Sequence, residues 1–310
     1  MNGPASDRLS SLPPDRRALF LKIKAERAGA AADHPLVPLR PGPGPARLVL
    51  LHPSGGALFC YTPLVRALRP EIDVIGCAAD PADRDVPGSE RMATVASRLL
   101  TALARVADPG RCLLAGWSHG GVLAFEMARQ HAAAGGTPPH AVLIDCCYWG
   151  DRPPEDEPTL RRRFVYDLIR LTGGNEAAAE SAAPGLDGAP GLDGAGLRGA
   201  LDAAGISLML TDAELADRYE TFRGCCLGLQ SYKRPATTYG GEVTLIVTQQ
   251  ADIIERRWAA VVTGRMRTVR LPGDHFTLFR PPALAMVASE IEAAAGLRQP
   301  KEDADGLRSD

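Results

Sequence analysis

Residues 111–130 read RCLLAGWSHGGVLAFEMARQ. The run from Cys112 to Ala115 is continuously apolar, as a strand buried on both faces requires. It ends at Gly116. A helical pattern begins just after Ser118. Between the two lies Gly-x-Ser-x-Gly, with Gly116, Ser118 and Gly120, followed by a further glycine, Gly121. Strand, tight turn and helix form the context of a nucleophile elbow. Glycines on both sides of the serine let strand and helix approach closely. The hydroxyl then projects from the C-terminal edge of the sheet, where open α/β sheets bind ligands. A serine that only capped the helix would explain the helix start, but not three glycines.

The flanking sequence repeats the strand pattern. LVLLH (48–52), IDVIGCAA (72–79), HAVLIDC (140–146), EVTLIVT (242–248) and MRTVRL (266–271) are similar apolar runs. Helical patterns fall at about 59–69, 90–107, 119–134 and 281–295. Alternating strands and helices predict an α/β fold, a mainly parallel sheet flanked by helices. Residues 150–235 interrupt the alternation and are far too long for an ordinary crossover. TLRRRFVYDLIRL places Leu160, Phe164, Leu168 and Leu171 on one helical face. DAELADRYETFRGCCLGLQ does the same with Leu215, Tyr219, Phe222, Cys226 and Leu229. The segment's middle, AAPGLDGAPGLDGAGLRG, is a low-complexity tract expected to be mobile. The expected organisation is a leader at 1–44, a core at 45–149 and 236–298, and an insertion at 150–235 over one end of the sheet. A disordered tail is expected at 299–310. The leader is expected to hold a short amphipathic helix in SLPPDRRALFLKIKAERA and then a Pro/Gly-rich linker.

Composition narrows the classes. Of 310 residues, 45% are hydrophobic and the net charge is −2, so a large core is attainable and nucleic acid is not an expected partner. There is no apolar run of membrane-spanning length and no signal-peptide pattern, so a cytoplasmic protein is expected. The seven cysteines show no C-x-x-C spacing. They are expected to be reduced thiols, and no metal site is expected.

A serine nucleophile needs a base, and the chain has six histidines. His34, His131 and His140 are expected at the surface. His52 ends the first core strand and lines the site on this reading. The His119 side chain is expected to point away from the hydroxyl. His275, in LPGDHFTLF, lies between the last strand and the last helix and follows the serine in chain order. It is the candidate base. Asp145 ends the strand AVLID and Asp252 follows the strand in TLIVTQQAD; both lie at the C-terminal edge and precede His275, so either can orient the imidazole. Asp274 adjoins His275 and is poorly placed to meet its ring. For the oxyanion, the N–H of His119 is one candidate donor, and Ser54 or Gly55 in HPSGGALF supplies the other.

Taken in order, LVLLHPSGGALFCYTPLVRAL, LLAGWSHGGVLAFEMARQ, AVLIDC, QSYKRPATTYGGEVTLI and LPGDHFTLF resemble the thioesterases of polyketide and nonribosomal peptide assembly lines, over roughly residues 36–295. The resemblance implies an α/β-hydrolase fold with a helical lid at 150–235, though the glycine-rich middle departs from the usual lid. It implies Ser118 as nucleophile and His275 as base. In chain-releasing members the acid ends the strand after the elbow, which matches Asp145. In stand-alone editing members it follows the later strand, which would match Asp252. The implied partner is an acyl or peptidyl carrier protein, whose phosphopantetheine carries the acyl chain as a thioester. No cofactor of the chain's own is implied. The expected function is chain release by hydrolysis or cyclisation. An editing thioesterase that clears aberrant acyl groups, or a general carboxylesterase, are the alternatives.

Overall fold

The computed structural model describes residues 35–150, 153–172, 177, 194–203, 205–206 and 210–297. The leader helix, most of the low-complexity tract and the tail lie outside them. The strands are β1 (Leu36–Arg40), β2 (Arg47–Leu51), β3 (Asp73–Cys77), β4 (Cys112–Trp117), β5 (Ala141–Ile144), β6 (Val243–Val247) and β7 (Met266–Arg270). The helices are α1 (Thr62–Ala67), α2 (Gly88–Ala104), α3 (His119–Ala133), α4 (Glu157–Thr172), α5 (Gly194–Ala203), α6 (Asp212–Ser231), α7 (Ala251–Ala259) and α8 (Ala283–Ala294).

Among the described residues, seven strands form one sheet in the order β1-β3-β2-β4-β5-β6-β7. All pairs are parallel except β1 with β3. The expected mainly parallel sheet is therefore present, with the Ser118 strand at its centre. The leader was expected to run to residue 44, and that boundary is corrected here, because Leu36–Arg40 form an edge strand. The run is short and contains Pro38, which removes a ladder donor and is tolerated only at an edge or a bulge. The register shifts between Pro38 and Arg40. Helix α7 was also not foreseen.

Side chains alternate between two cores, as the strand period requires. Val49, Leu51, Leu114, Leu143 and Leu245 pack with Met92, Val122, Phe125 and Trp258 of α2, α3 and α7. Leu48, Leu50, Leu113, Val142 and Ile246 pack on the opposite face with Leu64, Val287 and Ile291 of α1 and α8. Every residue of β4, β5 and β6 is buried, which explains the uninterrupted apolar runs in the sequence.

Within 150–235, α4, α5 and α6 form a third cluster through Leu160, Phe164, Leu168, Leu197, Leu215, Tyr219, Phe222 and Cys226. These include most of the residues assigned to one face of each helix. Leu171 and Leu229 instead pack against the two main cores. Thr211 caps α6 in a capping box with Glu214. No described helix is long and apolar enough to cross a membrane.

The glycines around the elbow are sterically required. A Cβ on Gly116 would lie 2.2 Å from the Gly120 backbone, and one on Gly120 would lie 2.3 Å from the Leu51 carbonyl oxygen. Gly120→Ala is expected to destabilise the protein by about 1–3 kcal/mol, because backbone must move. Gly199→Ala, inside α5 with open space around the Cα, is expected to stabilise by about 0.5–1 kcal/mol. Chemical denaturation midpoints check both.

Candidate active site

Parallel pairing sets the strand ends side by side. Leu51 pairs with Gly116, Trp117 with Ile144, Ile144 with Ile246, and Val247 with Arg270. The residues just beyond these ends therefore share one edge of the sheet. Tyr61 ties two of them together. Its hydroxyl donates to the Leu51 carbonyl at 2.7 Å and accepts from the Trp117 N–H at 2.9 Å.

Ser118 follows β4 with φ 59° and ψ −127°, a conformation that costs a residue with a side chain roughly 1–3 kcal/mol. The turn is held by the Ser118 N–H on the Ile144 carbonyl and the Gly121 N–H on the Ser118 carbonyl, both at 3.0 Å. A Cβ on Gly121 would lie 2.3 Å from the Cys146 sulfur. Helix and neighbouring strand thus close in on the serine from both sides.

Asp145 follows β5 and also adopts a positive φ, 45°. One carboxylate oxygen, Oδ2, lies 2.7 Å from His275 Nδ1. The other, Oδ1, accepts from the Thr248 N–H at 2.8 Å and from its hydroxyl at 2.9 Å. The Asp145 side chain is 9% exposed and that of His275 33%, so the acid is sheltered and the ring is partly exposed. The Trp117 ring lies 4.7 Å from the His275 ring at 33° and covers it. Asp252 is placed elsewhere. Its side chain is 78% exposed and pairs with Arg270 at 2.9 Å. Thr248 was not singled out from the sequence, because its role depends on the β5–β6 register.

Asp274 turns away from the imidazole, as expected from its adjacency. It pairs with Arg170 of α4 at 2.6 Å and accepts from the Phe276 N–H at 2.9 Å. Burial acts to raise its carboxyl, but the Phe276 N–H and Arg170 outweigh it and hold the group below its usual value. Arg170 also lies over the Phe276 ring, and its carbonyl accepts from Arg280 at 2.7 Å. One arginine therefore fastens the insertion to the loop that carries His275.

His119 opens α3. Its N–H falls in the first helical turn, where no intrahelical acceptor exists. Its side chain points into the interior and stacks on His52, ring centroids 5.3 Å apart at 26°. Burial, with His52 beside it, pushes the His119 imidazole down to about 3, so the ring is neutral. Ser54 and Gly55 line the cleft that holds Ser118. His131 and His140 are partly buried rather than fully at the surface, and His140 Nε2 lies 2.9 Å from the Thr244 hydroxyl.

The cleft has a volume of about 500 Å³, including its open mouth. Its walls combine the sheet edge with the insertion, through Trp117, Ser118, Phe164, Asp167, Leu168 and Phe222 among others. His52, His119 and Cys225 bring one potential metal-ligating atom each within 4.8 Å of one another. The two imidazoles are stacked, and burial pushes the Cys225 thiol up. All seven cysteines are buried as free thiols.

Residues 46–184 match the thioesterase domain family. Over that span the chain is similar to this family. The matched segment takes in Ser118 and Asp145, and His275 lies beyond it. A non-reducing polyketide synthase, crz7, of Cladonia metacorallifera is 31% identical over 186 residues, which are 59% of this chain and 8% of the synthase. Pyochelin synthetase PchF of Pseudomonas aeruginosa is 30% identical over 301 residues, 88% of this chain and 16% of the synthetase. The chain thus spans a small part of the curated relatives it matches. The RedJ thioesterase from the prodiginine pathway of Streptomyces coelicolor has a similar fold. Its TM-score is 0.59 at 21% identity, covering 86% of this chain and 95% of that one. The mostly parallel sheet flanked by helices is similar to that of solved thioesterases with the α/β-hydrolase fold.

The Arg170–Asp274 pair predicts a local effect. Arg170→Ala is expected to speed amide exchange in residues 157–172 while leaving β4 and β5 protected. Asp274 contributes when ionised and its folded value is depressed. The difference from wild type should therefore be full above about pH 4 and fade as pH falls below it. Exchange mass spectrometry at several pH values checks this.

Proposed function

We propose that this chain is a serine thioesterase that releases an acyl or peptidyl chain from the phosphopantetheine of a carrier protein. One observation carries the reading. The strained Ser118 and the hydrogen-bonded His275–Asp145 pair stand at the same sheet edge, the serine opening on a cleft. The family match over residues 46–184 supports a hydrolytic enzyme. Similarity to synthase and synthetase segments supports the carrier-protein partner.

In this mechanism His275 Nε2 takes the Ser118 proton as Oγ attacks the thioester carbonyl. Asp145 fixes the tautomer by accepting from Nδ1–H and stabilises the imidazolium that forms. The N–H of His119, with one from Ser54 or Gly55, receives the negative charge of the tetrahedral intermediate. Collapse breaks the C–S bond, and the imidazolium returns its proton to the departing thiolate. Water, or a hydroxyl or amine of the chain itself, then attacks the seryl ester with His275 again as base. The product is an acid in the first case and a ring in the second. The chain needs no cofactor of its own for these steps, and the phosphopantetheine comes with the substrate.

The 2.7 Å contact of Asp145 with His275 favours chain release over the editing alternative, which drew on Asp252. With a long-chain acyl-N-acetylcysteamine thioester, Ser118→Ala and His275→Ala are expected to lose the acyl adduct and turnover. Asp145→Asn is expected to lower kcat by ~10²–10⁴-fold, because the wrong tautomer then faces the serine. Asp252→Asn should stay within about twofold of wild type, as expected of an exposed ion pair. Intact-protein mass and product analysis read all four variants. Turnover by Ser118→Ala at the wild-type rate would sink the reading.

A further inference from the structure

The cleft wall that faces Ser118 contains a carboxylate the mechanism does not use. Asp167 projects from α4 among Phe164, Leu168, Leu171 and Phe222, which also line the cleft. Among the described residues, no hydrogen bond or ion pair within ordinary distance reaches it. Its neighbouring cations are directed elsewhere. Arg163, one turn earlier, pairs with Glu155 at 2.5 Å and lies over the Phe222 ring at 6.0 Å. Arg218, also in the cleft wall, lies over the Phe59 ring at 5.7 Å.

The Asp167 side chain is partly exposed to the open cleft, and the apolar groups around it limit its hydration. Burial accordingly raises the Asp167 carboxyl to about 6, against the attraction of Arg163 and His275 and with a small further rise from Glu155. The group remains mostly ionised at neutral pH. It is held in the wall of the substrate cleft, on the helix that Arg170 fastens to the His275 loop. A cationic group that entered the cleft would meet this carboxylate.

We propose that Asp167 binds a protonated nitrogen on the acyl chain, so that the cleft selects amine-bearing acyl groups over neutral ones of the same shape. This rests on the seryl thioesterase reading for the identity of the ligand. An ammonium group would form a charge-assisted hydrogen bond in a poorly hydrated setting. A methyl in its place would leave the carboxylate desolvated and unpartnered. Attraction for the first and a penalty for the second act together. The recognised nitrogen is also a potential internal nucleophile once it loses its proton, so the same contact would hold it away from the ester until release.

The test uses two isosteric pairs of N-acetylcysteamine thioesters, β-alanyl with butanoyl and 6-aminohexanoyl with heptanoyl. Calorimetric titration into full-length Ser118→Ala measures binding without chemistry. The amine-bearing member of at least one pair is expected to bind at least tenfold more tightly than its neutral counterpart. In the Ser118→Ala/Asp167→Asn double variant that ratio should fall within twofold of unity, with the neutral thioesters bound as well as before or better. Undiminished binding of the neutral thioesters also shows that the double variant is folded. Asp167→Glu, in the same background, should keep part of the preference. No preference for either amine in the single variant, or a preference that survives Asp167→Asn, overturns the proposal. Turnover is measured separately on wild type. Failure to cleave any of the four thioesters would count against the seryl thioesterase reading, while the binding ratio still decides the role of Asp167.

Discussion

The close approach of helix α3 to strands β2 and β4 is the constraint on which the rest depends. The backbone of Gly120 lies so near Gly116 and Leu51 that no side chain fits at either glycine. That contact forces the chain to reverse within one residue. Ser118 therefore takes a conformation that side chains rarely adopt. A looser turn would start the helix later and lower the hydroxyl into the core. Two buried cores, one on each sheet face, hold the strained residue in place. The strain is affordable because both faces of β4 are fully packed.

The parallel register then carries the site outward from the serine. The ends of β5, β6 and β7 align with the end of β4, so residues far apart in sequence meet at one edge. Asp145 is oriented by two bonds from Thr248, one strand over, and spends its remaining oxygen on His275. The insertion completes the cleft from above. It has its own apolar cluster, and Arg170 joins it to the histidine loop. The buried Glu126 plays a comparable part near the other end of the insertion. It accepts from Tyr232, just past α6, and from Arg129 of α3.

Much of the fold was legible because strands buried on both faces must be apolar throughout. That pattern located six strands to within a residue or two. The glycine spacing located the elbow, because close backbone approach excludes every other residue type there. His275 stood out as a candidate from its place between the last strand and last helix, and the structure sets it against Asp145. Strand β1 was not, since an edge strand needs only half a pattern and tolerates Pro38. Helix α7 has only Ile254 and Trp258 buried, too few for a clear periodicity. Asp167 left a faint trace, an acid within the apolar face of FVYDLIRL.

The sequence by itself determined the α/β alternation, the tight turn at Ser118 and the set of candidate residues around it. These follow from local physics, namely burial, backbone sterics and the order of elements along the chain. Only the tertiary structure decided which aspartate meets the histidine, which residues support that aspartate, and which carboxylate of the insertion lines the cleft. Asp145 and Asp252 are equivalent as sequence, each an acid beyond a buried strand. They differ in the turn that follows. Asp145 folds back toward His275 with a positive φ, whereas Asp252 enters a helix and points to Arg270 and solvent. Contacts between distant segments depend on register and side-chain direction, and neither is encoded by spacing along the chain.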